Sequence, residues 1–389
     1  MQISSLLRTI TFTLLVILLV IVSFVAGYLY HERMISNLKL PLLTQAYSIL
    51  LEHGLKDPPP SPALEYGMIR GMLQAYDDPY TTFVEPPQNE LQTNALEGKF
   101  GGVGVQLITD SQGFWALVPF PESPASKAGI KEGDRLLAVD DLAISPQTPA
   151  DTVQSAIRGR VGEKVKLTVG RAPDYEPLVF NVKREEIPLP SVTWYLDLDQ
   201  PSIGVLKVNL IAASTPEEIQ NAVEDLTQRG ANYYILDLRD NPGGYLTAGV
   251  DIARLFLNDG IVMQQQYRQK DVETFKVSKP GPLAEIPLAV LINHGSASAA
   301  EIAAGALQAQ KRAPLVGAPS FGKDTVQLVF TLQDDSSLRV TAARWWIPDL
   351  NTQIGGNGLQ PDIPVDLGDT STSTDPFLQA AIQYLLASK

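Results

Sequence analysis

The chain contains no cysteine. That absence excludes disulfide frameworks, thiolate metal sites, cysteine nucleophiles and lipidated cysteine anchors. Histidine is nearly as scarce. Only His31, His53 and His294 occur, so a mechanism built on a histidine base has few candidates. Basic charge is also short: 30 Lys and Arg stand against 43 Asp and Glu, for a net charge of −13. Nucleic-acid binding needs a basic face, and this balance argues against it. No metal-ligand cluster or nucleotide loop occurs in the sequence, so no cofactor is expected. What is present is apolar material. At 44% hydrophobic and 19% charged residues over 389 positions, the chain can bury sizeable cores in two or three folded units.

The longest apolar run is 9–30, TITFTLLVILLVIVSFVAGYLY, without a charged residue. As a helix rising about 1.5 Å per residue it is long enough to cross a hydrocarbon core roughly 30 Å thick. Arg8 precedes it, and His31, Glu32 and Arg33 follow. The expectation is a single-pass membrane anchor with the rest of the chain outside the cytoplasm. The competing expectation is a signal peptide cleaved after Gly27, leaving a secreted or periplasmic protein, although signal cores are usually shorter.

Beyond the anchor, 36–54 and 64–76 show helical spacing of apolar residues, separated by the Pro-rich break at 57–62. From 98 to 184 short β-prone runs dominate: 103–107, 115–118, 135–139, 165–169 and 178–182, with one helix at 150–157. From 202 onward strands (203–208, 233–238, 288–292, 325–332) alternate with helices (216–229 with Thr215 as N-cap, 246–257, 299–310). That alternation predicts a layered α/β domain.

The chemistry-bearing candidates lie in this last part. NHGSASAAE at 293–301 joins an apolar strand to a helix. Ser298 at the helix start sees the positive end of the dipole and free N–H groups, which favour a developing anion. Taken alone, it reads as an ordinary N-cap. A serine hydroxyl also needs a base. His294 sits only four residues away in the same turn, whereas a lysine whose pKa falls on burial can serve. Lys323, in SFGKDTVQ, is that candidate, although an isolated lysine is ordinarily a solvated surface charge. On a strand Lys323 and Gln327 would share a face, so Gln327 could orient the amine, and Asp324 would point away. In LDLRDNPGG at 236–244 the tandem glycines offer main-chain donors, and with the N–H after Ser298 they could bind an oxyanion. By themselves they read as a Pro-Gly turn.

Together these blocks, with VGAPSFGKDTVQ at 316–327, resemble the C-terminal processing peptidases, or tail-specific proteases, of peptidase family S41. The resemblance covers about 64–386 and includes GML and DDPYTT upstream and ARWWIP and GLQPD downstream. It implies Ser298 as nucleophile, Lys323 as general base, Gln327 as assistant, and the N–H groups of Gly244 and Ala299 as oxyanion donors. It implies an α/β, crotonase/ClpP-like layered protease core at 187–389, completed by part of 60–96, with an inserted mostly-β PDZ domain at 97–186. An N-terminal helical region at 36–96 and the segment 1–35 precede it.

In the PDZ part, Gly101, Gly102, Val103, Gly104 and Val105 look like a carboxylate-binding loop leading into a strand. That strand's edge would pair with a peptide, opposite the 150–157 helix. Arg158, after that helix, could couple groove occupancy to the protease part. The implied substrates are C-terminal peptides of proteins. A homo-oligomer or an activating adaptor stays open. So do a non-catalytic binding scaffold on the same fold and a crotonase-like acyl-transfer enzyme, since fold does not fix function.

Overall fold

The computed structural model describes residues 40–350, 353–365 and 375–387, together with six helical positions between 15 and 23. Among the described residues no helix is long and apolar enough to cross a membrane. The expected anchor at 9–30 lies outside them apart from those six positions.

Two compact units divide at Ala75/Tyr76. The first holds helix α1 (Pro41–His53), which starts with proline at its first helical position, and most of α2 (Ala63–Tyr76). Proline suits that position because its missing N–H would have no partner there.

The second unit opens with β1 (Thr82–Val84), α3 (Pro86–Glu97) and β2 (Lys99–Gly102). A mostly-β subdomain follows: β3 (Val105–Thr109), β4 (Trp115–Pro119), α4 (Pro124–Ala128), β5 (Asp134–Val139), β6 (Leu142–Ala143), α5 (Ala150–Ile157), β7 (Lys164–Gly170) and β8 (Pro177–Lys183). Its sheet runs β3-β4-β5-β7-β8, with β6 on β5, so β3 is an edge strand. Alternate residues Val165, Leu167 and Val169 of β7 are fully buried with Val153 and Ile157 of α5, the two-residue period of a one-sided sheet. β9 (Glu185–Pro188) returns to pair with β2.

The remaining elements are β10 (Val192–Leu196), β11 (Ile203–Val208), α6 (Thr215–Gln228), β12 (Tyr233–Asp237), α7 (Leu246–Phe256), β13 (Ile261–Tyr267), β14 (Glu273–Lys276) and β15 (Leu288–Ile292). They continue with α8 (Ala299–Ala309), β16 (Leu315–Gly317), β17 (Thr325–Thr331), β18 (Ser337–Trp346), β19 (Ile363–Pro364) and α9 (Pro376–Ala387). The central sheet has the order β10-β11-β12-β15-β16-β19 and is parallel from β11 onward. All five residues of β15 are buried, as a strand covered on both faces requires. One face packs on α6, α7 and α8; the other packs on Phe377, Ala381, Ile382 and Leu385 of α9. A second sheet, β1-β18-β13-β14 with β17 on β18, carries Thr82–Val84 into register with Ser337–Arg339. The strand pairing thus brings the segment before α3 onto a hairpin 250 residues further along the chain.

One expected cap differs. Thr215 is the first residue of α6, and Ser214 occupies the cap position. The Thr215 hydroxyl turns back to accept from the Ala212 N–H at 2.7 Å and to meet Ser191 Oγ at 2.7 Å. The buried hydroxyl thus binds the loop before its own helix and the residue before β10, not the first N–H groups of α6.

Candidate active site

Three adjacent parallel strands, β12, β15 and β16, end on the same side of the sheet. The loops that leave their C-terminal ends carry Gly243-Gly244, Ser298 and Lys323 respectively, which is where open α/β sheets build their sites. Side chains on these loops lock them together. Asn241 donates through Nδ2 to the Val208 carbonyl at 2.7 Å and accepts from the Gly243 N–H at 2.8 Å; its own carbonyl accepts from the Ala297 N–H at 2.9 Å. Ser296, fully buried, donates to the Leu238 carbonyl at 2.8 Å. Asn293 and Asp240 exchange two bonds at 2.9 Å.

Ser298 stands at the N-cap of α8 with φ 55° and ψ −116°. A non-glycine residue rarely adopts such a conformation, and it costs on the order of 1–3 kcal/mol unless the surroundings hold it. Both flanking peptide groups are held here. The Ser298 N–H donates to Glu301 Oε2 at 2.8 Å, and its carbonyl accepts from the Ile302 N–H at 2.9 Å. The strain distinguishes this position from an ordinary cap, which sits in relaxed extended backbone.

Glu301 explains how the serine loop and the lysine loop are fixed to one another. Its side chain is fully buried. Oε2 accepts from both the Ser298 N–H at 2.8 Å and the Lys323 N–H at 2.9 Å. Oε1 accepts from Ser320 Oγ at 2.6 Å and the Gly322 N–H at 2.7 Å. One carboxylate therefore sets the two main chains side by side. Burial pushes its carboxyl group up from the ordinary value, against the four hydrogen bonds that favour the anion. The Ser-x-x-Glu spacing of a capping box at 298–301 is the signal from which Glu301 was legible. No sequence signal indicated that it would also reach Lys323.

The Lys323 amine is half-buried and lies 5.2 Å from the centre of the Tyr80 ring. Its pKa is lowered, chiefly by burial and then by the charge of Arg339, while Glu301 and Asp78 oppose the shift. Lys323 precedes β17 instead of lying on it, so the expected two-residue alternation with Gln327 does not apply. The Gln327 amide donates to Thr325 Oγ1 at 3.1 Å and Thr341 Oγ1 at 3.3 Å, with a register shift between Val326 and Gln327. The Asp324 carboxylate lies against Gly355, away from the amine. His294 is exposed, with its ring 5.7 Å from that of Phe321.

The N–H groups of Gly244 and Ala299 make no hydrogen bond among the described residues. Gly243, at φ 97°, has no room for a side chain on the serine side. A Cβ on it would stand 2.9 Å from the Ser298 Cβ and 3.0 Å from the Ala299 nitrogen, so only glycine fits there.

In the β-rich subdomain, Gly101 and Gly102 are buried in β2, paired with Glu186 and Glu185. Two of the five expected loop residues thus stand in a strand ladder, and the other three lie where the chain enters β3. Val103 and Gly104 link β2 to β3, which Val105 begins and whose outer edge is unpaired among the described residues. Arg158 lies over the Phe100 ring, 4.3 Å from its centre, where α5 meets β2.

Residues 202–365 match the model of peptidase family S41, and residues 119–171 match that of a PDZ domain. Over 351 residues the chain is 34% identical to the carboxyl-terminal-processing protease of Synechocystis, covering 88% of this chain and 81% of that protein. The chain belongs to the carboxyl-terminal-processing proteases of family S41. It is likewise 34% identical over 319 residues to the carboxy-terminal processing protease CtpA of Bacillus subtilis, covering 82% of this chain and 67% of that one. Among solved structures it is similar to the photosystem II D1 C-terminal processing protease, at 27% identity, TM-score 0.47, and coverage of 87% and 90%. This S41 protease is therefore a serine-type endopeptidase, with a mixed α/β core, a PDZ domain and protein substrates.

Proposed function

We propose that this protease cleaves proteins near their C-terminus through a Ser298–Lys323 dyad. The observation that carries the reading is the single Glu301 oxygen shared by the Ser298 and Lys323 N–H groups. Lys323, its pKa lowered chiefly by burial, takes the Ser298 proton as Oγ attacks the scissile carbonyl. The N–H groups of Gly244 and Ala299 receive the oxyanion; their lack of any other partner supports that role. The intermediate collapses to an acyl-enzyme and an amine, which takes the proton from Lys323. Water then releases the acyl group by the same route. Gln327 assists, its amide held by Thr325 Oγ1 and Thr341 Oγ1.

The Val103-Gly104 link and the free edge of β3, which starts at Val105, support capture of a substrate's terminal carboxylate by strand addition, with α5 as the opposite wall. The test is cleavage of an unfolded protein by the full chain in detergent, with Ser298→Ala and Lys323→Ala as controls. Both should be inactive, and full activity in Ser298→Ala would refute the assignment.

Two finer proposals follow. Arg158, stacked on Phe100 where the PDZ helix meets β2, couples groove occupancy to cleavage. Arg158→Ala should then lose activation by added tail peptides while still binding them; unchanged activation would overturn the role. The apolar run 9–30 supports a tether that keeps the catalytic part outside the cytoplasm. N-terminal sequencing of the mature protein should find residue 1 or 2, whereas a start at residue 28 would make the run a cleaved signal.

A further inference from the structure

The motif DDPYTT at 77–82 folds into a tight turn that leads into β1. Asp78 ties the turn together. Its Oδ1 accepts from the Tyr80 N–H at 3.2 Å, its Oδ2 from Thr81 Oγ1 at 2.5 Å, and its carbonyl from the Thr81 N–H at 3.2 Å. An aspartate that bonds the main chain two residues on is a common way to fix a turn. Thr81 is buried, and its Oγ1 accepts from the Thr341 N–H of β18 at 3.1 Å. Ser337–Arg339 of β18 pair with β1 on one edge and with β17 on the other. The turn before β1 thereby meets the loop before β17, and Lys323 Nζ lies over the Tyr80 ring, 5.2 Å from its centre.

That ring is the contact the amine has. Lys323 Nζ makes no hydrogen bond and no ion pair among the described residues. The charges acting on it are mixed: Glu301 on α8 and Asp78 in the turn favour an ammonium, and Arg339 on β18 disfavours one. The Asp324 carboxylate lies against Gly355, and His294 lies beside Phe321. An aromatic face attracts a cation within about 6 Å of its centre. A neutral amine gains little from it. The reaction turns one into the other, because the Ser298 proton leaves Oγ for Nζ. An interaction made with the ammonium alone is therefore realised in the transition state and not in the substrate complex.

We propose that Tyr80 is a positioning residue for the reaction, its ring face holding the ammonium that forms on Lys323 as Ser298 gives up its proton. The inference rests on the reading of Lys323 as general base. The ring acts, and the hydroxyl does not. At alkaline pH the resting amine is free, so the ring stabilises the transition state alone. At acid pH the resting enzyme already holds the ammonium, and the ring stabilises both states alike. Removing the ring therefore costs activity on the alkaline plateau and none at the acid end. The midpoint of the acid limb moves down by the logarithm of the plateau loss.

The experiment is the pH dependence of kcat/KM for cleavage of a quenched fluorogenic peptide with an apolar C-terminus, using the full chain in detergent. The acid limb of this profile reports the free enzyme's base. Tyr80→Leu should lower the plateau about three- to tenfold, move the limb down by about 0.5–1 pH unit, and merge with wild type at acid pH. Tyr80→Met, unbranched, should do the same should leucine pack poorly. Tyr80→Phe keeps the ring face and should follow wild type throughout. A loss that is equal at every pH in both variants without a ring overturns the proposal, since lost packing does that. So does a Tyr80→Phe profile like that of Tyr80→Leu, which would assign the effect to the hydroxyl. Lys323→Ala in the same assay separates the two readings. If it still cleaves, the base assignment fails. If it is inactive while Tyr80→Leu and Tyr80→Met run parallel to wild type, only the role of Tyr80 fails.

Discussion

Lys323→Ala and Ser298→Ala are each expected to lower kcat/KM for protein cleavage on the order of 10⁴-fold or more. A general base by itself contributes about 10²–10⁴. Nucleophile and base act as one unit, however, so losing either removes nearly the whole covalent pathway. What remains is the contribution of substrate binding and of the Gly244 and Ala299 donors. Lys323→Arg separates base chemistry from mere charge. Arginine retains the positive charge but does not give up its proton in a protein, so it should be as inactive as alanine. Stability should move the other way. Burial lowers the Lys323 pKa, so the folded state works against the protonated lysine at neutral pH. Lys323→Met removes that penalty and should match or exceed wild type in thermal unfolding. Unimpaired cleavage by Lys323→Arg would sink the dyad.

Glu301→Gln should be the most damaging change outside the dyad. Four donors converge on the two oxygens of this buried side chain. An amide in its place keeps one acceptor atom and turns the other into a donor that faces donors. With its nitrogen toward Ser298 and Lys323 both of those N–H bonds are lost; turned round, the nitrogen can donate to the Ser320 hydroxyl, the Gly322 N–H alone is left facing a donor, and the Ser298 and Lys323 N–H groups keep a neutral oxygen in place of a carboxylate. Leaving a buried donor unmatched costs about 1–3 kcal/mol before relaxation, so a loss of that order in stability is expected. Catalysis should fall further than stability explains. Ser298 sits at φ 55° only because its neighbours over-determine it, and a relaxed Ser298 misplaces Oγ. The expected result is a drop in kcat of about 10²-fold with tail-peptide affinity unchanged, since the β3 edge and α5 belong to a separate core. Both are read from steady-state kinetics and peptide titration on the same preparation. Wild-type kcat in Glu301→Gln would show that the bridge does not position the site.

Much of the fold was legible because it is encoded locally. The helix α5, the strands β11 and β15 and the start of α8 fall at the residues their hydrophobic periodicity predicts. The elements that periodicity did not single out have mixed patterns. Helix α3 is polar with a single buried residue, Asn89, and β18 is held by three different strands along its length. Neither carries a clean period of its own.

By itself the sequence determined which chemistries were excluded and which residues remained. Without cysteine and with a single histidine after residue 53, a serine needs another base, and Lys323 in its motif supplies one. Tertiary structure alone decided what surrounds that base. Tyr80 and Glu301 reach Lys323 from separate segments, and the charges of Asp78 and Arg339, carried by the turn before β1 and by β18, act on it as well. Propensity and periodicity describe a residue relative to its near neighbours. A pKa depends on charges a few ångströms away in space, and the register of paired strands fixes which charges those are.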